Sequence, residues 1–238
     1  MTHSGGPGPL LATALIAAHP LPVLATSFGP LRPPLGIDDR VEAADAVALT
    51  FDDGPHPSGT PAVLELLERA NARATFFLVG EQVERRPKLA AEIVAAGHHV
   101  GLHCYRHRSL LRLSPAQLAN DLDRALAAID EATGTVPSLY RPPYGLFSAA
   151  GLALARRRRL RPLLWTRWGR DWEERATPAS ILRLLTRRLR SGDVLLLHDA
   201  DHYSAPGSWR NTVGALPGLL DELERRSLRL VVPHEPAV

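Results

Sequence analysis

Cysteine is almost absent: Cys104 is the only one in 238 residues, which excludes an intrachain disulfide and a zinc site built from several thiolates. It does not fix the compartment, because exported bacterial proteins often lack disulfides too. Lysine is equally scarce. Of the 28 basic residues only Lys88 is a lysine, and 25 acidic residues nearly cancel them, leaving a formal charge of +3. So small an excess gives no electrostatic footprint for nucleic acid, and the arginines at 156–159 and the pair Arg187-Arg188 read as solvated helix faces. No apolar run is long enough to span a bilayer stably. The most apolar stretch, 10–25, is interrupted by His19, Pro20 and Pro22, and no Lys or Arg precedes it. It makes a poor signal peptide or anchor and reads instead as part of an N-terminal extension, 1–44, packed on the main domain. Cytoplasm and cell envelope both stay open. Linkers, low-complexity tracts and repeats are missing as well, so 45–238 reads as one domain, with oligomeric state left open.

At 45% hydrophobic the chain can bury a sizeable core. From Asp45 onward, strand-like apolar runs at 46–51, 73–79, 98–103, 138–141, 160–166, 193–198 and 228–232 alternate with amphipathic stretches. The latter predict helices over 61–70, 87–96, 115–133, 148–158, 178–190 and 211–226. Thr60-Pro61, Ser114-Pro115 and Thr177-Pro178 each place a capping hydroxyl before a proline suited to the first helical turn. Gly97, Gly134 and Gly192 fall where helices end. This alternation is the signature of a parallel α/β fold, and seven strands point to a barrel, complete or not.

The chain is organised around Thr50-Phe-Asp-Asp-Gly-Pro55, where an apolar run stops at two adjacent carboxylates and a turn. Asp52 and Asp53 repel each other, so a metal ion, a shared proton or a nearby arginine is needed to hold them together. Four other polar groups also follow predicted strands: His103 to His107, Arg141-Pro-Pro-Tyr-Gly145, Asp171-Trp172 and His198-Asp199. A barrel gathers the C-terminal ends of its strands on one rim, so all five converge there. Two histidines four residues apart, aimed at a common point and joined by one aspartate, make a two-histidine, one-carboxylate metal site with open positions. Such a site also describes a non-haem iron oxygenase. Arg141 sits on a loop stiffened by two prolines and can hold a carboxylate ionised. His198 ends an apolar run, where burial and a carboxylate partner would bring its pKa near working pH. His98 and His99 lie earlier on a strand and read as ordinary sheet residues; Cys104 either packs or joins the metal.

In order and spacing, Thr-Phe-Asp-Asp-Gly-Pro, His-x-x-x-His, Arg-Pro-Pro-Tyr-Gly, Asp-Trp and Leu-Leu-His-Asp resemble the five motifs of the polysaccharide deacetylases, the NodB-homology group or carbohydrate esterase family four. The resemblance spans 45–232. It implies a distorted, incomplete (β/α)7-type barrel and hydrolytic removal of acetyl from N-acetylated, or O-acetylated, sugars. It also implies roles: Asp52 as general base, Asp53, His103 and His107 as ligands of a divalent metal, zinc first with cobalt or another ion open, and Arg141 orienting Asp52. His198 then resembles the general acid, Asp171 the carboxylate that tunes it, Leu196 and Trp172 the walls of the acetyl pocket, and Tyr144 the backbone donor to the oxyanion. Two departures stand out. Position 104 is Cys where Ser or Thr is usual, and Arg167-Trp-Gly-Arg170 lacks an acid common before Asp171, which bears on substrate preference. Peptidoglycan, a chitin-like oligosaccharide, acetylated xylan and a smaller N-acyl compound all remain open as substrates, and an inactive carbohydrate-binding module is the competing reading of another class.

Overall fold

In the computed structural model, which describes residues 21–233, strand β1 (Ala46–Asp52) is buried from end to end. Side chains alternate along a strand. Val47, Leu49 and Phe51 join the large apolar cluster between sheet and helices, whereas Ala48 joins a smaller cluster inside the barrel with Val41, Phe77, Leu139, Leu163 and Val194. A parallel strand covered on both faces needs an unbroken apolar run, which explains why this stretch shows no polar alternation. Thr50 and Asp52 follow Ala48 onto the inner face, so the alternation itself delivers Asp52 to the mouth of the barrel.

The sheet is wholly parallel and curls into a half-barrel. Its eight strands run in the order β5-β4-β3-β2-β1-β7-β6, with β8 beside the start of β1. They are β2 (Thr75–Leu78), β3 (His99–Leu102), β4 (Leu139–Tyr140), β5 (Arg161–Pro162), β6 (Arg167–Trp168), β7 (Val194–His198) and β8 (Arg229–Leu230). Of the run at 160–166, expected as one strand, only Arg161–Pro162 is a strand, with Leu163 in an isolated bridge, and the next strand, β6, begins just past the run at the other end of the sheet. β5 pairs with β4, β6 pairs with β7, and β5 and β6 do not pair with each other. Pro162 brings no N–H to the ladder, which suits it to a strand at the sheet's edge. The chain then crosses the opening, tied by Leu163 N–H to the Tyr140 carbonyl (2.9 Å) and Leu164 N–H to the Asp38 carbonyl (2.7 Å). Bridges Asp38↔Leu163 and Arg40↔Asp193 lay residues 38–40 across that gap. Farther back, Ala25 and Ile37 are buried and Thr26 donates to the Gly145 carbonyl at 2.6 Å, so residues 21–44 lie against the barrel. Residues 10–20 of the stretch read as a poor signal or anchor fall outside the described residues.

The helices that follow β1 are α1 (Gly59–Arg69), α2 (Gly80–Arg85), α3 (Pro87–Ala95), α4 (Pro115–Thr133), α5 (Ala149–Arg157), α6 (Pro178–Thr186) and α7 (Trp209–Arg225). α4 and α6 start as expected, with reciprocal capping boxes at Ser114/Gln117 and Thr177/Ser180. Thr60 does not cap. α1 begins before it, and its hydroxyl accepts from His56 N–H at 2.7 Å and donates to buried Asp199. Helix α2 was not expected, because its single short turn pattern lies between the β2 run and Pro87. Gly134 ends α4 in the left-handed region at φ 65°.

Candidate active site

Asp52 accepts a hydrogen bond from Arg141 Nη1 at 2.7 Å. Arg141 is fully buried, and its other N–H groups reach the Thr50 hydroxyl (2.8 Å) and the Leu163 and Leu164 carbonyls (both 3.0 Å), while Phe77 lies under the guanidinium at 4.1 Å. A buried charge is tolerable only when it is paired and hydrogen-bonded, and here both conditions are met.

Asp53 leaves the strand with a positive φ of 77°, and Cys104 and Tyr144 share that conformation at 65° and 62°. Three non-glycine residues in the left-handed region around one site are a concentration of backbone strain, held by the surrounding fold. The turn at Asp53 swings its carboxylate toward the loop after β3. Its Oδ1 is buried, has no hydrogen-bond donor, and lies 3.4 Å from His103 Nε2 and 3.3 Å from His107 Nε2. His103 Nδ1 is 2.7 Å from the Arg141 carbonyl. A carbonyl only accepts, so Nδ1 carries the proton and Nε2 presents a lone pair. Burial drives the pKa of His107 down to about 4, so its imidazole is neutral. Lone pairs therefore converge on a carboxylate oxygen with no proton to share, an arrangement completed by a cation; the donor atoms of Asp53, His103 and His107 all lie within 4.8 Å of one another. Burial alone would raise the Asp53 pKa, but the imidazoles around it, His103 first and then His198 and His107, hold the carboxyl below the usual range.

On the other side of β1, His198 Nδ1 is 3.0 Å from Asp171 Oδ1. Asp171 is buried and also accepts from His198 N–H (2.6 Å) and the Thr212 hydroxyl (2.7 Å). Burial lowers the pKa of His198, yet the Asp171 charge and hydrogen bond, with Asp53 and Asp52 beyond, raise it overall to about 10. The cavity between these groups holds about 310 Å³ and is bounded by Tyr144, Trp172 and Leu196 as well as by the acids and imidazoles.

All ten residues singled out in the sequence thus meet at one rim. Cys104 does not join the metal trio: its thiol is buried against the Tyr140 hydroxyl at 3.7 Å, and burial pushes its pKa far up, away from the thiolate a metal requires. His98, expected as a sheet residue, lies just before β3 and accepts from Ala74 N–H at 3.3 Å. Sequence reasoning missed Trp165, Trp168, Tyr203 and Ser204, which also line the cavity. Tyr203 stacks on His107 at 4.4 Å and 11°, donates to Glu81 at 2.8 Å and accepts from Gln82 at 3.0 Å. Its position five residues beyond His198 was the available signal. A second trio, His56, Asp201 and His202, also brings ligand atoms together. There His56 Nδ1 accepts from Gly59 N–H at 2.9 Å, so its Nε2 is protonated and donates to Asp201 at 3.1 Å. His56 thus clamps two loops together, with no free lone pair of its own to offer an ion.

Residues 39–163 match the family model described as polysaccharide deacetylase, and the chain belongs to that family. The peptidoglycan-N-acetylglucosamine deacetylase of Bacillus cereus is 35% identical over 191 residues, covering 79% of this chain and 86% of that protein. The chitooligosaccharide deacetylase of Bradyrhizobium sp. is 34% identical over 200 residues, covering 80% and 90%. A family 4 carbohydrate esterase from Streptomyces lividans, solved in complex with acetate, superposes with a TM-score of 0.71 at 32% identity, over 79% of this chain and 92% of that one. The family is metal-dependent in general, and the trio at Asp53 supplies a group able to hold an ion. No helix among the described residues is long and apolar enough to cross a membrane.

Proposed function

We propose that this protein hydrolyses the N-acetyl group of amino sugars in an oligo- or polysaccharide of the peptidoglycan or chitin type. The observation that carries this reading is the convergence of His103 and His107 on the donor-less Oδ1 of Asp53, flanked by the Arg141–Asp52 and Asp171–His198 pairs. Asp53, His103 and His107 would hold a divalent ion, which supplies Lewis acidity at the amide oxygen and the attacking water. The donor set suits zinc and accepts cobalt.

Asp52 takes a proton from the water that attacks the acetyl carbonyl, and Arg141 keeps its carboxylate aimed until then. His198 donates Nδ1–H to Asp171, which leaves its Nε2–H for the nitrogen as the carbon–nitrogen bond breaks. Acetate and a free amine leave. Tyr144, its φ positive, is assigned the main-chain N–H that meets the oxyanion. Leu196 and Trp172 bound the methyl group.

The test is acetate release from N-acetylglucosamine oligomers, peptidoglycan and acetylated xylan, before and after chelation and zinc readdition. Release from the N-acetyl substrates, lost on chelation and regained with zinc, is expected. No release from any N-acetyl sugar, or full activity in a verified metal-free preparation, overturns the reading.

A further inference from the structure

Three tryptophans stand in contact with one another beside the reaction centre. Trp172 meets His198 edge-on at 5.4 Å, Trp168 meets Trp172 edge-on at 5.5 Å, and Trp165 lies 5.8 Å from Trp168. All three line the same cavity. Trp168 differs from the others in being half in solvent, at 46% exposed, whereas Leu196, its register partner across the β6–β7 ladder, is 2% exposed. Its direction is fixed by its neighbour. Gly169 packs so closely that a Cβ there would come within 2.8 Å of Ile181 and Leu197, so the outer face of β6 is pressed against α6 and β7. Side chains alternate, and Trp168 is therefore turned the other way, onto the cavity.

A large indole left half exposed beside a reaction centre marks a binding surface. The cavity, at about 310 Å³, offers roughly ten times the ~30 Å³ share of one water, more than an acetyl group fills. The acetyl methyl already has its walls in Leu196 and Trp172, on the closed side. Trp168 stands on the open side, where the rest of the substrate must extend. The matching chemistry is a flat, carbon-hydrogen-rich face bordered by hydroxyls, which a pyranose ring presents.

Resting on the deacetylase reading, we infer that Trp168 is a stacking subsite for a sugar ring adjoining the one that carries the acetyl group. The substrate is then an oligosaccharide of at least two units, and a small N-acyl compound cannot use the whole site. Trp165 lies beside Trp168 in the same cavity, and Trp172 serves both the acetyl pocket and the stack.

The experiment compares kcat/KM of the zinc-loaded wild type, Trp168→Ala and Trp168→Phe on N-acetylglucosamine, its tetramer, and N-butyrylglucosamine. Trp168→Ala is expected to lower the ratio of tetramer to monosaccharide kcat/KM about tenfold, chiefly through KM, with Trp168→Phe recovering most of it. Calorimetric titration of the tetramer into Asp52→Asn and Asp52→Asn/Trp168→Ala should show the same weakening without turnover. A ratio that stays put, with both sugars losing alike, overturns the subsite, as does a loss confined to the butyryl substrate, which would make Trp168 a wall for the acyl group. Failure of the parent reading is seen separately, as absence of acetate release by the wild type, and the titration still decides the subsite in that event.

Discussion

Asp52 and His198 are direct partners across the β1–β7 ladder, the last residue of one strand beside the last residue of the next. The pair is therefore placed by backbone hydrogen bonds of the sheet and not by loops. Each is supported from a different direction, Asp52 by Arg141 from β4's end and His198 by Asp171 from beyond β6. The carboxylate beside His198 raises the proton affinity of that imidazole, which is what a general acid requires.

That division of labour separates two variants. Asp52→Asn keeps Asp53, His103 and His107 and should retain metal while kcat falls by about 10²- to 10⁴-fold, the usual worth of a general base. His103→Ala should lose metal, measured by mass spectrometry of the dialysed protein. Metal lost from both variants would mean that the two aspartates have been assigned the wrong way round.

Removing the partner of Asp52 should cost the fold as well as the reaction. Arg141→Met strips four hydrogen bonds and leaves a buried carboxylate without its cation, so a loss of about 3–5 kcal/mol in unfolding free energy is expected from urea titration. Arg141→Lys keeps a charge but cannot reach all four acceptors and should fall in between. A wild-type melting curve for Arg141→Met would refute the central place given to this ion pair.

The strand ends and the polar groups that follow them were legible in the sequence because a buried parallel strand is a continuous apolar run that stops where the rim begins. Asp52, His103, Arg141 and His198 were all placed by that rule. The stretch 160–166 was misread for the same reason: apart from Arg161 and Thr166 it is apolar, and its apolar residues do not tell a strand from a segment buried while crossing the barrel's open side. Thr60 was taken for a cap because Thr-Pro is a strong local signal, yet Asp199, 139 residues away, claims its hydroxyl. Tyr203 escaped because it lies in a loop with only its distance from His198 to mark it, and Trp168 because a two-residue strand is too short to show a pattern.

Tyr203 lies flat against His107, and its hydroxyl is held by Glu81 and Gln82. Groups that fix the orientation of a metal-binding imidazole typically change affinity by 10- to 100-fold, so Tyr203→Ala should weaken zinc binding by about tenfold or more in a chelator competition. Tyr203→Phe keeps the ring but releases the hydroxyl, and should lie between wild type and Tyr203→Ala. Equal zinc affinity in all three would show that the stacking is mere packing.

The last prediction concerns Asp171, whose charge and hydrogen bond overcome burial to raise the pKa of His198 to about 10. Asp171→Asn keeps the shape and removes the charge, so the imidazolium loses its main support and gives up its proton at lower pH. The basic limb of the kcat/KM profile, which reports the acid in the free enzyme, should therefore move down in pH, while metal content stays the same. Stability should follow the same linkage. A histidine raised above its unfolded value near 6.5 contributes stability that is complete below that pH and is lost as pH climbs toward 10. The wild type should accordingly exceed Asp171→Asn in melting temperature most clearly below pH 6.5, with the gap narrowing on the alkaline side. A basic limb that does not move, in a variant that folds and binds metal, would place the proton donor elsewhere than His198 or its support elsewhere than Asp171.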